Sequence, residues 1–349
     1  IDDRSFPPAN RSWGYWTSQH RPLDALACAT WSQVDVFAKG RTHRLTLDPY
    51  RYLLIRGSDL EAWVAQRSDG GRVTRIRDRV EGVSSHGGGA RCVGERGEYS
   101  ASLVFDSRPP PPLAGEVRLQ FIGWEIETPN EFFDASVATF MDFRARAAQR
   151  VQFGYVLPTA PNRALVELAS FASQPLDSVA SSNRLESYLR QQLGIERWDV
   201  HRCESGDLSL MVGAGKAEGG PIVAIGRRGG LLRPSTGYGF ERMARHAKQI
   251  ADALASQPTS HDGLAFESSK RHAYLDRVLL DVVDVEPDVL EPTFDALFSR
   301  NPPDRILRFL DEDSSMRDEA KIVSSMPKTP FMRAAARVRR RASKRAAPS

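Results

Sequence analysis

The sequence predicts a mixed α/β chain of the α+β kind. An antiparallel sheet is joined to a strand–loop–helix unit and then to a helical C-terminal region. Three stretches predict it. Residues 151–171 read as two strands joined by a Pro-Asn turn: Val151, Phe153, Tyr155 and Leu157 alternate toward one face, the period of a half-buried strand, and the run after the breaker segment 158–162 is apolar except for Glu167. Residues 221–226, PIVAIG, form a short apolar strand that opens into a glycine-rich loop, and Met243, Ala247, Ile250 and Leu254 follow at helical spacing. Beyond Ser260, apolar stripes at helical spacing succeed one another.

Taken in order, the chain begins Ile1-Asp2-Asp3 and runs into a Pro- and Asn-rich loop. An apolar residue followed by acids is how the second strand of a dinucleotide-binding unit ends, with the acid meeting a ribose hydroxyl. A trimmed terminus with solvated acids is the other reading. Trp13, Tyr15, Trp16 and Trp31 make an aromatic opening that belongs in a core. Residues 45–55 are apolar at intervals, and Gly57-Ser58-Asp59 starts a helix with Leu60, Trp63 and Val64 on one face. Residues 73–83 alternate as a strand, SSHGGGA at 84–90 is a turn or loop, and 100–105 is a strand. Four prolines after Asp106-Ser107-Arg108 form a stiff break between domains.

Residues 117–126 and 135–143 add strands to the antiparallel sheet. Residues 182–193 read as a helix with Leu185, Leu189 and Leu193 in line. Residues 199–212 place Glu204 beside a turn. The strand, glycine-rich loop and helix of 221–254 are in the order that aims backbone N–H groups and a helix N-terminus at an anion or a polar ring edge. Tyr274, Val278, Leu279, Val282 and Val283 mark one C-terminal stripe, Leu290, Phe294, Leu297 and Phe298 a second, and residues 306–310 a third. They are core-facing, with an apolar groove as the alternative. From about Pro327 order fades, and the basic end is expected to be disordered.

Composition narrows the function classes. The chain has 349 residues, 41% of them hydrophobic and 26% charged, enough for one large or two ordinary domains. No run approaches the ~20 apolar residues of a membrane-spanning helix. The opening residues lack the apolar segment of a signal peptide. Cys28, Cys92 and Cys203 have no metal-ligand spacing, and three scattered cysteines favour a reducing cytoplasm. The net charge of +4 is concentrated in RAAARVRRRASKR, which holds no acid. Such a tail attracts phosphate backbones nonspecifically, but the body carries no nucleic-acid motif; anionic lipid is the more economical target.

The residue that most demands explanation is Glu167, flanked in sequence by Val166 and Leu168. Desolvation disfavours a charged carboxylate and raises its pKa, which suits a general acid. The alternative is that it points to solvent or to Arg163.

VFDSRP, FIGWEIET, FMDFR, YVLPTAPNRALVE, CESGDLSLM and LLRPSTGYGF stand in an order and at spacings that resemble bacterial lycopene β-cyclases, and RSWGYW resembles that family's aromatic segment. The likeness runs to about Pro330. It implies a Rossmann-type FAD/NAD(P)-binding domain interleaved with an antiparallel-sheet substrate domain and a helical C-terminal region. In those terms residues 1–110 and 213–260 belong to the FAD-binding domain, 111–212 to the substrate domain, 261–330 to a helical region facing substrate and membrane, and 331–349 to the tail.

The resemblance further implies acid-initiated cyclisation of lycopene end groups to β-rings, with reduced FAD required, NAD(P)H as its reductant, and no net redox change. It places the enzyme in the cytoplasm, peripheral at the membrane, with other carotenoid enzymes as possible partners. It names Glu167 as the catalytic acid and Glu204 as a second catalytic carboxylate. It assigns cofactor contacts to Asp2, Asp106, Arg108, Gly226, Gly229, Gly230, Pro234, Thr236 and Gly237. No metal is expected.

Departures are visible too. Leu168 and Ala169 stand where many relatives have a second acid and a threonine, and Ser209 stands where a proline is usual. The family's Gly-rich pyrophosphate turn is expected upstream of Ile1, so these 349 residues alone are expected to bind FAD poorly. Another FAD-dependent oxidoreductase of the same superfamily, or an inactive remnant, is the competing expectation.

Overall fold

The computed structural model describes residues 1–2, 11–68, 71–109, 115–145, 151–174, 177–210, 220–257 and 260–346. The chain opens with β1 (Ser12–Thr17), β2 (Ala27–Trp31), β3 (Gln33–Ala38), β4 (Arg41–Thr46) and β5 (Arg51–Arg56), and α1 (Gly57–Ser68) follows directly. An antiparallel meander of β6 (Val80–His86), β7 (Gly89–Gly94) and β8 (Glu98–Ala101) precedes β9 (Val104–Asp106). Next come β10 (Arg118–Glu127), β11 (Val137–Asp142), β12 (Val151–Ala160), β13 (Arg163–Ala172), α2 (Ser178–Ser187), β14 (Asp199–Ser209), β15 (Ile222–Ala224) and α3 (Phe240–Ser256). The remainder is α4 (Lys270–Val285), α5 (Leu290–Arg300), α6 (Pro303–Leu310), α7 (Met316–Ser325) and α8 (Lys328–Ala346).

The large sheet has the order β14-β10-β13-β12-β11-β3-β4, antiparallel except where β11 pairs β3. Both of its faces are covered, which explains why β13 reads as almost continuously apolar. Ala164, Val166 and Leu168 turn to one face and pack with Leu185, Tyr188 and Leu189 of α2 and the π-helical turn after it. Leu165, Ala169 and Phe171 turn to the other face, into a core shared with Val282, Leu297 and Ile322 of the C-terminal helices. Glu167 has the parity of this second face. A smaller sheet, β1-β5-β2, adds Trp16, Tyr52 and Trp31 to the same core, so the aromatic opening is a core element as expected. β9 and β15 pair in parallel, and Asp2 makes a parallel bridge to Arg77.

Several boundaries differ from the sequence reading. The strand expected over 73–83 begins only at Val80; residues 73–75 are exposed, and none of 73–76 is in a strand. SSHGGGA is a hairpin: Ser85 and His86 are in β6, Gly89 starts β7, and Gly87 and Gly88 turn at positive φ. β12 runs through Pro158 to Ala160, leaving Pro161-Asn162 as the turn. The helix expected over 182–193 starts earlier, capped by Asp177, and ends in the π-helical turn Tyr188–Leu193. The proline break lies largely outside the described residues.

The largest correction is at the C-terminus. The basic end continues as α8 instead of fading. Arg333, Arg337 and Arg341 recur every four residues and line one side of the helix, where they meet Asp281 and Glu286 of α4 and its C-terminal end. Ala334, fully buried, packs beneath them.

Candidate active site

Tyr155 of β12 stands opposite Glu167 of β13, Glu167 opposite Gly123 of β10, and Gly123 opposite Glu204 of β14. Residues in register across adjacent strands project to the same face. The two acids are therefore on one face with a single strand between them, and that strand contributes glycine. A Cβ at Gly123 would lie 2.7 Å from Glu167 Cγ and 3.0 Å from its Oε1. The missing side chain leaves the trough in which Glu167 lies, close enough to Glu204 for that carboxyl to act on it.

The surroundings of the two acids are unequal. Glu204 is buried, accepts from Arg202 Nη1 at 2.6 Å and from Ser12 Oγ at 3.0 Å, and so has cationic support. Arg202 is held by two further contacts, 3.0 Å to Glu125 and 2.7 Å to Ser12, and Arg56 closes the network on Glu125 at 2.6 Å. Burial of Glu125 would raise its pKa, but Arg202 and Arg56 outweigh it and hold this carboxyl below the ordinary range. Glu167 has the reverse balance. Desolvation first, then the charge and hydrogen bond of Glu204, push its pKa well above the ordinary carboxylate range, and Arg202 offsets only part of this. Part of Glu167's surface is open, yet burial is still the strongest influence on it. Arg163 plays no part, since it pairs with Glu127. Of the two carboxyls, Glu167 is the one whose surroundings favour the protonated form.

Beside the pair lies an apolar cavity of ≈ 580 Å³. Trp16, Phe140, Tyr155 and Tyr238 wall it on the sheet side, and Leu279, Phe294 and Phe331 on the helix side. Trp16 and Tyr238 are tilted with centroids 4.5 Å apart, Phe140 and Tyr155 meet edge-on at 6.0 Å, and Phe140 and Tyr238 stack at 6.2 Å. The apolar stripes of α4 and α5 thus serve both the core and this groove.

The other sequence-named residues gather in two places. Asp106, at the end of β9, is buried and gripped by Arg108 at 2.9 and 3.0 Å and by Arg228 at 3.0 Å. Burial would raise its pKa; the two guanidiniums outweigh this and hold it below the ordinary range. Arg228 belongs to the Gly226–Gly230 turn, so the register of β9 with β15 joins that turn to Asp106. The cluster sits at the carboxyl ends of two parallel strands, where open α/β sheets bind ligands. Asp2 bonds through its backbone to Ile76 and Asp78.

Pro234, Thr236 and Gly237 are in the second place, a loop at the cavity, which Thr236 lines. Here one expectation is corrected. The N–H groups of Gly229, Gly230, Thr236 and Gly237 do not point at an anion, because they bond to carbonyls of Ile225, Arg227 and Arg233 in their own turns. The helix itself follows the loop as expected, with α3 starting at Phe240 after the cap residue Gly239. Glu204 is mid-strand and not beside a turn. Gly123, Arg202, Ser12 and Tyr52 were not singled out from sequence. Gly123 had a readable signal, an isolated glycine inside a strand pattern, which marks close approach. Among the described residues no cluster of acids, histidines and cysteines could hold a metal, and none of the three cysteines is in a disulfide.

The fold is shared with solved structures. A geranylgeranyl bacteriochlorophyll reductase-like protein from Thermoplasma acidophilum superposes with a TM-score of 0.65 at 13% identity, covering 90% of this chain and 84% of that one. An HpxO variant of Klebsiella pneumoniae, complexed with FAD, gives 0.53 at 14% identity over 85% and 83%. Residues 2–336 match the family described as lycopene cyclase protein, and the chain belongs to that family. It is 30% identical over 230 residues to a lycopene beta-cyclase of Paracoccus sp., covering 61% of this chain and 57% of the relative. It is 25% identical over 287 residues to the chloroplastic/chromoplastic lycopene beta cyclase of Narcissus pseudonarcissus, covering 73% and 54%. The chain thus spans about half the length of the curated relatives it matches.

Proposed function

We propose that this protein cyclises the linear end groups of lycopene to β-rings, as a carotenoid β-cyclase. The observation that carries the reading is Glu167, set against Glu204 in the sheet and next in register to Tyr155, which lines an apolar, aromatic-walled cavity. Protonating an alkene needs an acid that stays protonated at neutral pH and a site without water to compete, and desolvation supplies both. Glu167 is the acid. Glu204, held by Arg202 and Ser12, positions it and raises it. The tertiary cation formed on protonation closes onto a neighbouring double bond, facing the rings of Trp16, Phe140 and Tyr238. Loss of a ring proton completes an isomerisation.

FAD is the cofactor this reading requires. Its fit rests on two observations. Ser235 Oγ is buried at the cavity loop without a hydrogen-bond partner, and Gly237, at φ +74°, has no room for a Cβ against Leu119. Ser235, Thr236 and Gly237 would meet the flavin, and Asp106, Arg108, Gly226, Gly229 and Gly230 would shape the crevice at the strand ends. When bound, the reduced flavin supplies negative charge near the developing cation, with NAD(P)H as reductant.

The substrate dissolves in bilayers, and the reading includes a peripheral membrane contact. No helix among the described residues is long and apolar enough to cross a membrane. Val323 and Met332 line the cavity and are 47% and 70% exposed, which sets its mouth at α7 and α8. Arg339 and Arg340 are exposed farther along α8, where an anionic headgroup layer would attract them.

The test is pigment analysis of the full-length protein with reduced flavin and lycopene in liposomes. β- or γ-carotene from the parent, lost in Glu167→Gln, is the expected result. A saturated polyene would instead favour a reductase of the same superfamily, and unchanged lycopene would overturn the reading.

A further inference from the structure

Two residues of the smaller sheet reach the acid network. Ser12 of β1 stands opposite Arg56 of β5, and Trp16 stands opposite Tyr52 farther along the same ladder. Positions an even number of residues apart on a strand share a face, so all four side chains are on one side of the ladder. One pair of strands therefore meets the cavity at one end, where Trp16 lines it and Tyr52 Oη lies 3.1 Å from Tyr238 Oη, and the acids at the other. At the acid end every link is a hydrogen bond. Arg56 Nη2 donates to Glu125 Oε1 at 2.6 Å, Arg202 Nε donates to Glu125 Oε2 at 3.0 Å, and Arg202 Nη1 donates to Glu204 Oε2 at 2.6 Å. Ser12 Oγ accepts from Arg202 Nη2 at 2.7 Å and donates to Glu204 Oε2 at 3.0 Å.

We propose that Ser12 and Arg56 are positioning residues of the acid site: Arg56 orients Arg202 through Glu125, and Ser12 pins Arg202 to Glu204, so that the Glu204 carboxyl is fixed on the row that Gly123 and Glu167 share. The inference rests on the cyclase reading. The register supports it, since Glu125 stands opposite Arg202, Gly123 opposite Glu204 and Glu167 opposite Gly123. Glu125 and Glu204 are both buried and both bond to Arg202. Buried carboxylates hold tightly to whatever cation is in reach. With Arg56 on one oxygen of Glu125, Arg202 needs only its Nε for the other and keeps Nη1 for Glu204. Without Arg56, Glu125 competes for the whole guanidinium and Glu204 is left to Ser12. Glu167 itself is faced by Glu204 and Arg202 from β14 and by Tyr155 from β12, and it acts on Tyr52 of β5. Cys28 of β2 is a further titratable group that feels Arg56 and Glu125, and also Asp59 of α1.

The experiment uses the full-length flavin-loaded protein and reads kcat, KM for lycopene, the pH–rate profile and the melting temperature of each variant. Ser12→Ala is expected to lower kcat about tenfold with KM within about threefold, and Ser12→Thr, which keeps the hydroxyl, to recover most of that loss. Arg56→Met takes a positive charge away from Glu125, Glu204 and Glu167, which favours their protonated forms. It is expected to lower kcat about tenfold at unchanged KM and to move the alkaline limit of the profile up by about half a pH unit or more. Arg56→Lys keeps the charge and is expected to hold that limit near the parent's. Ser12→Ala and Arg56→Met cyclising within about threefold of the parent would overturn the positioning roles and leave the cyclase reading standing. So would a rate lost in step with melting temperature while Arg56→Met leaves the alkaline limit unmoved. Equal rates for Ser12→Thr and Ser12→Ala would overturn the role of Ser12. No ring formation by the parent would overturn the cyclase reading and the positioning roles with it.

Discussion

At the scale of single residues, the account turns on which carboxyl keeps the proton. Glu167 is pushed up by burial and by Glu204, and Arg202 is the opposing influence. A raised acid is active below its pKa, so the rate is expected to fall as pH rises through that raised value. Arg202→Met removes the opposing charge. The alkaline limit of the pH–rate profile is then expected to move upward, while the maximal rate falls about tenfold or more because the held proton is released less readily. Gly123→Ala fills the trough under Glu167. It is expected to cost about 1–3 kcal/mol of stability in denaturant titration, with a larger loss of rate than of stability.

Asp311 tests the electrostatics away from the chemistry. Burial and Glu241 raise its pKa from 3.8 to about 7, although Trp16 Nε1 donates to it at 2.8 Å. The folded state binds a proton that the unfolded chain has already lost. Stability is full below the ordinary aspartate pKa, declines as pH rises toward about 7, and stays lowered above that. Asp311→Asn keeps an acceptor for Trp16 without the charge. It is expected to raise stability at pH 8 by roughly 1–3 kcal/mol and to leave it nearly unchanged at pH 4, as read by urea midpoints.

At the scale of elements, strands were more legible than their partners. The alternation of Val151, Phe153, Tyr155 and Leu157 found β12, and the stripe of Leu290, Phe294, Leu297 and Phe298 found α5, because each is a local period. α8 was not legible: its arginines are paired with Asp281 and Glu286, about fifty residues upstream, and a window on the tail holds no acid. The glycine-rich loop was located, but its N–H groups close on their own carbonyls, a geometry that composition does not reveal. The role proposed for α8 makes a measurable claim. Replacing Arg339 and Arg340 with serine is expected to weaken sedimentation with phosphatidylserine-rich vesicles by about 1 kcal/mol per residue and to leave cyclisation of detergent-solubilised lycopene intact. Undiminished vesicle binding would remove α8 from the membrane contact.

At the scale of the whole molecule, the strand register converts separate sequence features into a site. Tyr155, Glu167, Gly123 and Glu204 come from four strands and fall in one row. Sequence reading reached Glu167 and Glu204 separately, but that they act on each other depends on a glycine in the strand between them, and that Glu204 has cationic support depends on an arginine two residues before it. The cavity depends on helices from a different part of the chain, whose apolar faces fit a core as readily as a groove.

The measurement that tests this most directly is mass spectrometry of the product formed from lycopene in D2O by the flavin-loaded full-length protein. Protonation by an exchangeable acid followed by loss of a ring proton predicts one deuterium per ring formed, and no ring when Glu167 is replaced by glutamine. Rings without deuterium, or a product heavier by the two atoms of a reduction, would contradict it.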